Sequence, residues 1–124
     1  MDVLDTMVRA VRRDGVVLDL QVIRPDPLVE ARGRVVCPID GEPLFRTADA
    51  ATAAIDALVR TGRLVEDAVD DHEVRKHYVD GPELVADIAG SRRSLPAEAV
   101  PGLSALAGPC AVVERCRLRR LVVV

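Results

Sequence analysis

The hydrophobic pattern changes period once within the first 23 residues. Up to Val11 the apolar residues recur every three or four positions, which predicts an amphipathic helix with Asp2 or Asp5 near its start. After Asp14-Gly15 the chain is almost continuously apolar over residues 16–23. Such a run is typical of a strand that is covered on both faces. The sequence therefore predicts a helix followed by a buried strand.

Prolines set the next segment, residues 24–46, apart from its neighbours. The segment contains four of them, and Asp40-Gly41 is a turn signal inside it. Because proline cannot donate a hydrogen bond to a strand ladder, we expect edge strands or loops here. We interpret the segment as a protruding proline-rich hairpin or arm.

Helical and extended patterns alternate from the arm to the C-terminus. A helix ends at Gly62, and residues 64–79 form a long strand. Asp80 and Glu83 have capping-box spacing at the start of a short helix. A weaker helix over residues 94–106 leads to a last strand over residues 110–124. We predict one domain, residues 1–124, of the α/β (or α+β) class, with helices packed on a mixed, partly antiparallel sheet.

The two late strands carry rows of opposite charge. An antiparallel pairing would place the acidic side chains of one strand opposite the arginines of the other. These side chains are Asp67, Asp71 and Glu73 on the first strand and Arg115, Arg117 and Arg119 on the second. We interpret both rows as cross-strand ion pairs and not as a catalytic site.

Composition narrows the classes of function. The net charge is −3 and aromatic residues make up 2 % of the chain, which argues against a nucleic-acid surface built on stacking. The apolar runs are shorter than a membrane span, and no signal peptide is evident. Three cysteines without paired spacing indicate a reduced compartment. The preference for Arg, Ala and Val suggests a bacterial genome, so we expect a bacterial cytoplasmic protein that binds neither nucleic acid nor membrane.

No residue pattern predicts a metal site. On a strand, His72 and His77 have opposite parity and project to opposite faces. Cys37 and Asp40 have the spacing of half a zinc knuckle, but Asp40 stands where the second cysteine would be. We expect ordinary histidines, buried unreactive cysteines and no metal ligand.

The opening helix and strand resemble one segment of the class I S-adenosylmethionine-dependent methyltransferases. In that family a helix ends in Arg-Pro-Gly-Gly before an apolar fifth strand, and here Arg13-Asp14-Gly15 stands in that place. The resemblance implies a half-Rossmann-like fold that corresponds to the C-terminal half of the family's domain. The family's cofactor site lies in the other half, and this sequence contains no GxGxxG turn. We therefore expect no cofactor, no cofactor-binding residue and no catalytic residue.

Three functions remain open at this point. The first is a non-catalytic, methyltransferase-like half-domain that acts as a homodimer or through another protein chain. The second is a small-ligand binding module or enzyme with a pocket near the arm, formed by Asp19, Arg24, Asp26 and Arg46. The third is the accessory half of a two-chain methyltransferase. A half sheet leaves an open edge that invites pairing, and the apolar C-terminus is a candidate interface: Leu121, Val122, Val123 and Val124.

Overall fold

The computed structural model describes residues 3–124, with side chains described from residue 6 onward. The helices are α1 (Val3–Ala10), α2 (Glu42–Arg60), α3 (Gly81–Ala89) and α4 (Val100–Ser104), the last preceded by a 3-10 turn at Ala97–Ala99. The strands are β1 (Val16–Ala31), β2 (Arg34–Pro38), β3 (Leu64–Tyr78) and β4 (Cys110–Val123). The side chains of Asp2 and Asp5, one of which was predicted to lie near the start of the first helix, are outside the described part.

The strands form one sheet in the order β2-β1-β4-β3. Each neighbouring pair is antiparallel, so the sheet contains no parallel neighbours in the described chain. The predicted class, helices packed on a sheet, is confirmed as α+β. The last strand lies between β1 and β3 and is antiparallel to both, which makes those two long strands run in the same direction.

A wide bulge in β1 divides the sheet into two halves. Residues 24–27 of β1 stand opposite the single residue Glu114 of β4. The bulge therefore adds three residues to β1. Because side chains alternate between the two faces of a strand, an odd number of extra residues moves the odd-numbered side chains of β1 from one face of the sheet to the other. Val17 therefore shares a face with Leu121, whereas Val29 shares the other face with Val112.

Each half of the sheet carries its own core, on opposite faces of β4. Helices α3 and α4 cover the half after the bulge with Leu84, Ile88 and Leu103, which pack on Val29, Val112 and their neighbours. Helices α1 and α2 cover the half before it with Val8 and Ile55, which pack on Val17, Leu64, Leu121 and Val123. Each of the long strands β1, β3 and β4 contributes residues to both clusters, so both cores hold these strands in place.

The arm differs from its prediction in two respects. The hairpin turns at Arg32 and Gly33, both at positive φ, and not at Asp40-Gly41. Residues 43–46, expected from the sequence to form the end of the arm, instead belong to the first turns of α2. Proline is tolerated in the first turn of a helix, since its missing N–H has no intrahelical partner there, and Pro43 occupies that turn. Burial of Phe45 and Ala48 then fixes the helix against the sheet.

The first strand is covered on one face only, so the prediction of burial on both faces was wrong for residues 16–23. Val17 is 5 % exposed, whereas Leu18 and Leu20 are 63 % and 58 % exposed. The cause is the parity change at the bulge, because α1 and α2 pack on one face of this half and α3 and α4 pack on the opposite face of the other half.

Candidate functional site

The uncovered half-sheet forms a three-stranded apolar surface, which we call the open face. Strand register arranges its side chains in four rows across β1, β4 and β3. The rows are Val16, Val122 and Val65; Leu18, Arg120 and Ala68; Leu20, Leu118 and Asp70; and Val22, Cys116 and His72. Most of these residues are aliphatic, and side chains of a strand stand perpendicular to its sheet. The open face is therefore a flat hydrophobic surface exposed to solvent.

The most exposed apolar side chains of the open face are Leu18 and Leu20, in its two central rows. Val16 and Val65, at the end of the sheet, are 40 % and 49 % exposed. Cys116, in the row next to the bulge, is buried. Burial raises the pKa of its thiol, with the Glu114 carboxylate adding to the effect. This cysteine is therefore a neutral packing residue and not a nucleophile.

The polar residues of the open face carry both signs of charge. Arg120 pairs with Asp67, which occupies a bulge of β3. Asp70 lies in the row next to that of Arg120, and its Oδ2 is 3.2 Å from Nδ1 of His72 in the following row. The open face therefore carries one cation and one carboxylate in adjacent rows, each beside a partner in the same chain.

The two free strand edges of this half-sheet differ in their protection. The outer edge of β3 carries the Asp67 bulge and many charged side chains, which are the usual defences against edge pairing. β2 pairs with β1 only from Leu28 to Ala31, so residues 16–23 have a free edge on that side. Asp19 is the one charged residue within this stretch. The unprotected edge borders the open face directly.

The opposite face of the same half-sheet holds an ion-pair network below α2. Arg119, whose side chain is 8 % exposed, lies 3.0 Å from Asp56 of α2 and 2.7 Å from Glu66 of β3. Arg117 makes two hydrogen bonds to Asp71, at 2.7 and 2.9 Å, and this pairing holds the pKa of Asp71 below its usual range. A crevice of about 500 Å³ opens here, but each charged residue lining it has an oppositely charged partner. The network therefore fixes α2 on the sheet and leaves no charge free for a ligand.

The four residues predicted to line a pocket are mostly engaged within the chain. Arg24 contacts Asp49 at 3.0 Å and Glu42 at 2.9 Å, and its guanidinium stacks 5.0 Å from the centre of the Phe45 ring. These carboxylates raise the pKa of Arg24 further. The arginine thus joins the bulge of β1 to α2.

Within the described part of the chain, the other three predicted pocket residues share no contact partner with one another or with Arg24. Asp26 accepts a hydrogen bond from the Gly41 amide at 3.2 Å, and Arg46 is exposed on α2. Asp19 accepts from the Gln21 side chain at 2.8 Å, and its second carboxylate oxygen is buried without a partner. The structure does not bring the four together through any shared contact, so their role as one pocket stays a prediction.

The C-terminal residues predicted as an interface are divided between core and surface. Leu121 and Val123 are buried in the core below α1 and α2. Val122 belongs to the open face, and Val124 is 58 % exposed at the end of the chain. The apolar tail is therefore explained mainly by packing within the chain, and Val122 is its contribution to the open face.

Groups that could hold a metal ion, with three or more His, Cys, Asp or Glu side chains, are not found among the described residues. His72 and His77 project to opposite faces, as predicted, since they pair with Cys116 and Ala111 of β4. Within residues 3–124, no helix has the length and apolar character needed to cross a membrane.

Comparison with protein-family models, with curated proteins and with solved structures found no match to this chain.

Proposed function

We propose that this protein is a non-catalytic interaction domain that works as a homodimer, with the open face as its contact surface. The observation that carries the proposal is the exposure of Leu18 and Leu20, which lie in the two central rows of a three-stranded apolar surface, on its edge strand β1. Large apolar patches on a folded domain mark interaction sites, because their exposure to water is unfavourable. Burial of these leucines against a second copy removes that cost.

The size of the open face sets the expected strength of the dimer. Three strands about 4.8 Å apart and four rows about 6.8 Å apart give a flat area of about 350–400 Å². This is in the range of the largest patches on monomers, and about half of the roughly 800 Å² per partner in a standard interface. We therefore expect a weak dimer, with a dissociation constant in the micromolar range.

The arrangement of charge supports a second copy as the partner. In a two-fold dimer the same patch meets itself, so each charged group must find its complement within that patch. Arg120 and Asp70 supply one charge of each sign in adjacent rows. Two copies packed face to face would form a two-layer β-sandwich with the aligned geometry of such sheets.

A dimer that packs face to face buries more of the exposed apolar side chains than a dimer that pairs strand edges. Pairing two copies through residues 16–23 of β1 would satisfy backbone groups but leave Leu18 and Leu20 in water. Packing the two open faces buries these side chains and requires no rearrangement of the edge. The proposal therefore assigns the contact to the face.

Light scattering coupled to size exclusion tests the proposal on the full chain. We expect the mass to rise from that of one chain towards that of two as the loading concentration increases through the micromolar range. A constant mass of one chain at high micromolar concentration would contradict it.

In the alternative that follows from the methyltransferase resemblance, this protein is the accessory half of a two-chain enzyme. Its partner is then a separate chain that carries the cofactor-binding half. That arrangement would use the same open face and edge. Homodimerisation of the protein alone separates the two alternatives, because an accessory half without its partner chain is expected to remain a monomer. A thermal-shift titration with S-adenosylmethionine tests the premise that the two share: a saturable shift of the protein alone would mean that it rebuilds a nucleotide site, and would contradict both.

A further inference from the structure

A second surface feature, independent of the open face, lies between the arm and α4. It is a cavity of about 600 Å³, within the range of small-molecule sites. Its walls are almost entirely apolar and include Val36 and Cys37 from β2 and Leu103 and Leu106 from the α4 region. An apolar cavity of this size favours a ligand with a hydrocarbon body.

One charged residue, Glu98, contributes to the lining of this cavity. The structure assigns it no ion pair within residues 3–124. The carboxylate is close enough to Cys37 to add to the effect of burial in raising the pKa of that thiol. A negative charge without a partner at the edge of an apolar cavity selects for a cationic head group.

Gly102 is an exposed residue that lines the cavity without contributing a side chain. A Cβ atom added at this position would meet no heavy atom within 4 Å, although the residue lies inside α4. Glycine is the least favourable residue in a helix after proline, so its presence here costs helix stability. The missing side chain leaves space on the wall of the cavity.

We propose that this cavity binds a small aliphatic amine, with its hydrocarbon chain between β2 and α4 and its ammonium group at the Glu98 carboxylate. Binding is non-covalent, because an aliphatic ammonium group offers no electrophilic atom to the Cys37 thiol. The site uses none of the open-face residues, so it does not depend on dimerisation.

Calorimetric titration of the full chain with n-hexylamine tests the proposal, with hexanoate as the matched anion and hexanol as the neutral analogue. We expect saturable binding of the amine and binding at least about tenfold weaker for both analogues. Equal binding of hexanoate and hexylamine, or no saturable binding of the amine, would overturn the assignment.

Three variants at two positions, Gly102 and Glu98, locate the site. Gly102→Leu should fill the cavity and weaken hexylamine binding by at least about tenfold, and the milder Gly102→Ala should weaken it less. Glu98→Gln should remove the preference for the amine over hexanol. Urea denaturation confirms that each variant is folded before titration. Unchanged amine affinity in folded Gly102→Leu would place the binding elsewhere and contradict the proposal.

Discussion

At the scale of single residues, Tyr78 reports on the core after the bulge. Its ring is 6 % exposed, and its hydroxyl donates a hydrogen bond to Asp87. Burial, followed by the contact with Asp87, raises the pKa of Tyr78 above its ordinary value. It is the one tyrosine in a chain without tryptophan, so its phenolate absorbance can be followed without overlap.

We predict that native Tyr78 titrates well above pH 10, whereas the same chain in urea titrates at about 10. A folded pKa above the unfolded one means that the stabilising contribution is complete below pH 10 and is lost as the pH rises through the folded value. Unfolding free energy should therefore fall above pH 10, and by less in Tyr78→Phe. Equal midpoints in native buffer and in urea would disprove the buried, hydrogen-bonded state.

Two glycines give opposite predictions for the same substitution. A Cβ atom at Gly81 would lie 1.7 Å from the Leu103 carbonyl oxygen, where α3 approaches α4, whereas Gly102 has open space. Overpacking in such a contact costs about 1–3 kcal/mol or more. We expect Gly81→Ala to lower the unfolding free energy in urea by about 3 kcal/mol and Gly102→Ala to leave it unchanged or raise it. A tolerated Gly81→Ala would mean that α3 and α4 are not in contact there.

Several residue positions could be predicted from the sequence. The caps of α3 follow the predicted spacing: Asp80 accepts a hydrogen bond from the Glu83 amide at 2.9 Å, and Glu83 accepts one from the Val79 amide at 3.0 Å. These are local interactions, and local sequence determines them. The exposure of Leu18 depends on which helices reach which face, and no local pattern contains that information.

At the scale of elements, the contact between α2 and the sheet depends on Arg119. This arginine is nearly buried and bridges two carboxylates, whereas Arg117 is 44 % exposed and pairs with Asp71 alone. Removing a buried charge partner is expensive, and exposed pairs contribute at most about 1 kcal/mol. We expect Arg119→Ala to lower the unfolding free energy by about 2 kcal/mol and Arg117→Ala by less than about 1 kcal/mol. Equal effects in urea denaturation would contradict this ranking.

The charge rows of β3 and β4 were predicted in part. Asp71 pairs with Arg117, as the antiparallel register requires. Asp67 instead pairs with Arg120, because the bulge between Glu66 and Ala68 shifts the register. Charge rows reveal that two strands face each other, but a bulge of one residue changes which side chains meet. The sequence alone does not indicate where that bulge lies.

At the scale of the whole molecule, one irregularity in β1 determines both the fold and the candidate surface. Residues 24–27 were predicted to end the strand, since two prolines lie among them, but β1 continues through this bulge to Ala31. The resulting change of face places the two helix pairs on opposite sides of the sheet. The half before the bulge thus keeps the open face uncovered.

The sequence contains a partial signal for this outcome. Asp19 and Gln21 alternate with Leu18 and Leu20, so one face of the strand is polar and the other is apolar. Normally the apolar face of such a strand is buried. Here the polar face lies below α2, with Asp19 opposite Arg119 in the strand register, while the apolar face is exposed. This inversion is explained if a second copy covers the apolar face.

Sedimentation equilibrium of a variant pair tests the homodimer through the open face most directly. Leu18→Thr with Leu20→Thr retains strand propensity but removes two exposed leucines, and Val35→Thr with Val36→Thr is the matched control on β2, where the valines are 58 % and 46 % exposed. We predict that the leucine variant weakens dimerisation by about 100-fold or more, while the control retains the wild-type dissociation constant. A leucine variant that is folded and dimerises as tightly as wild type would contradict the account.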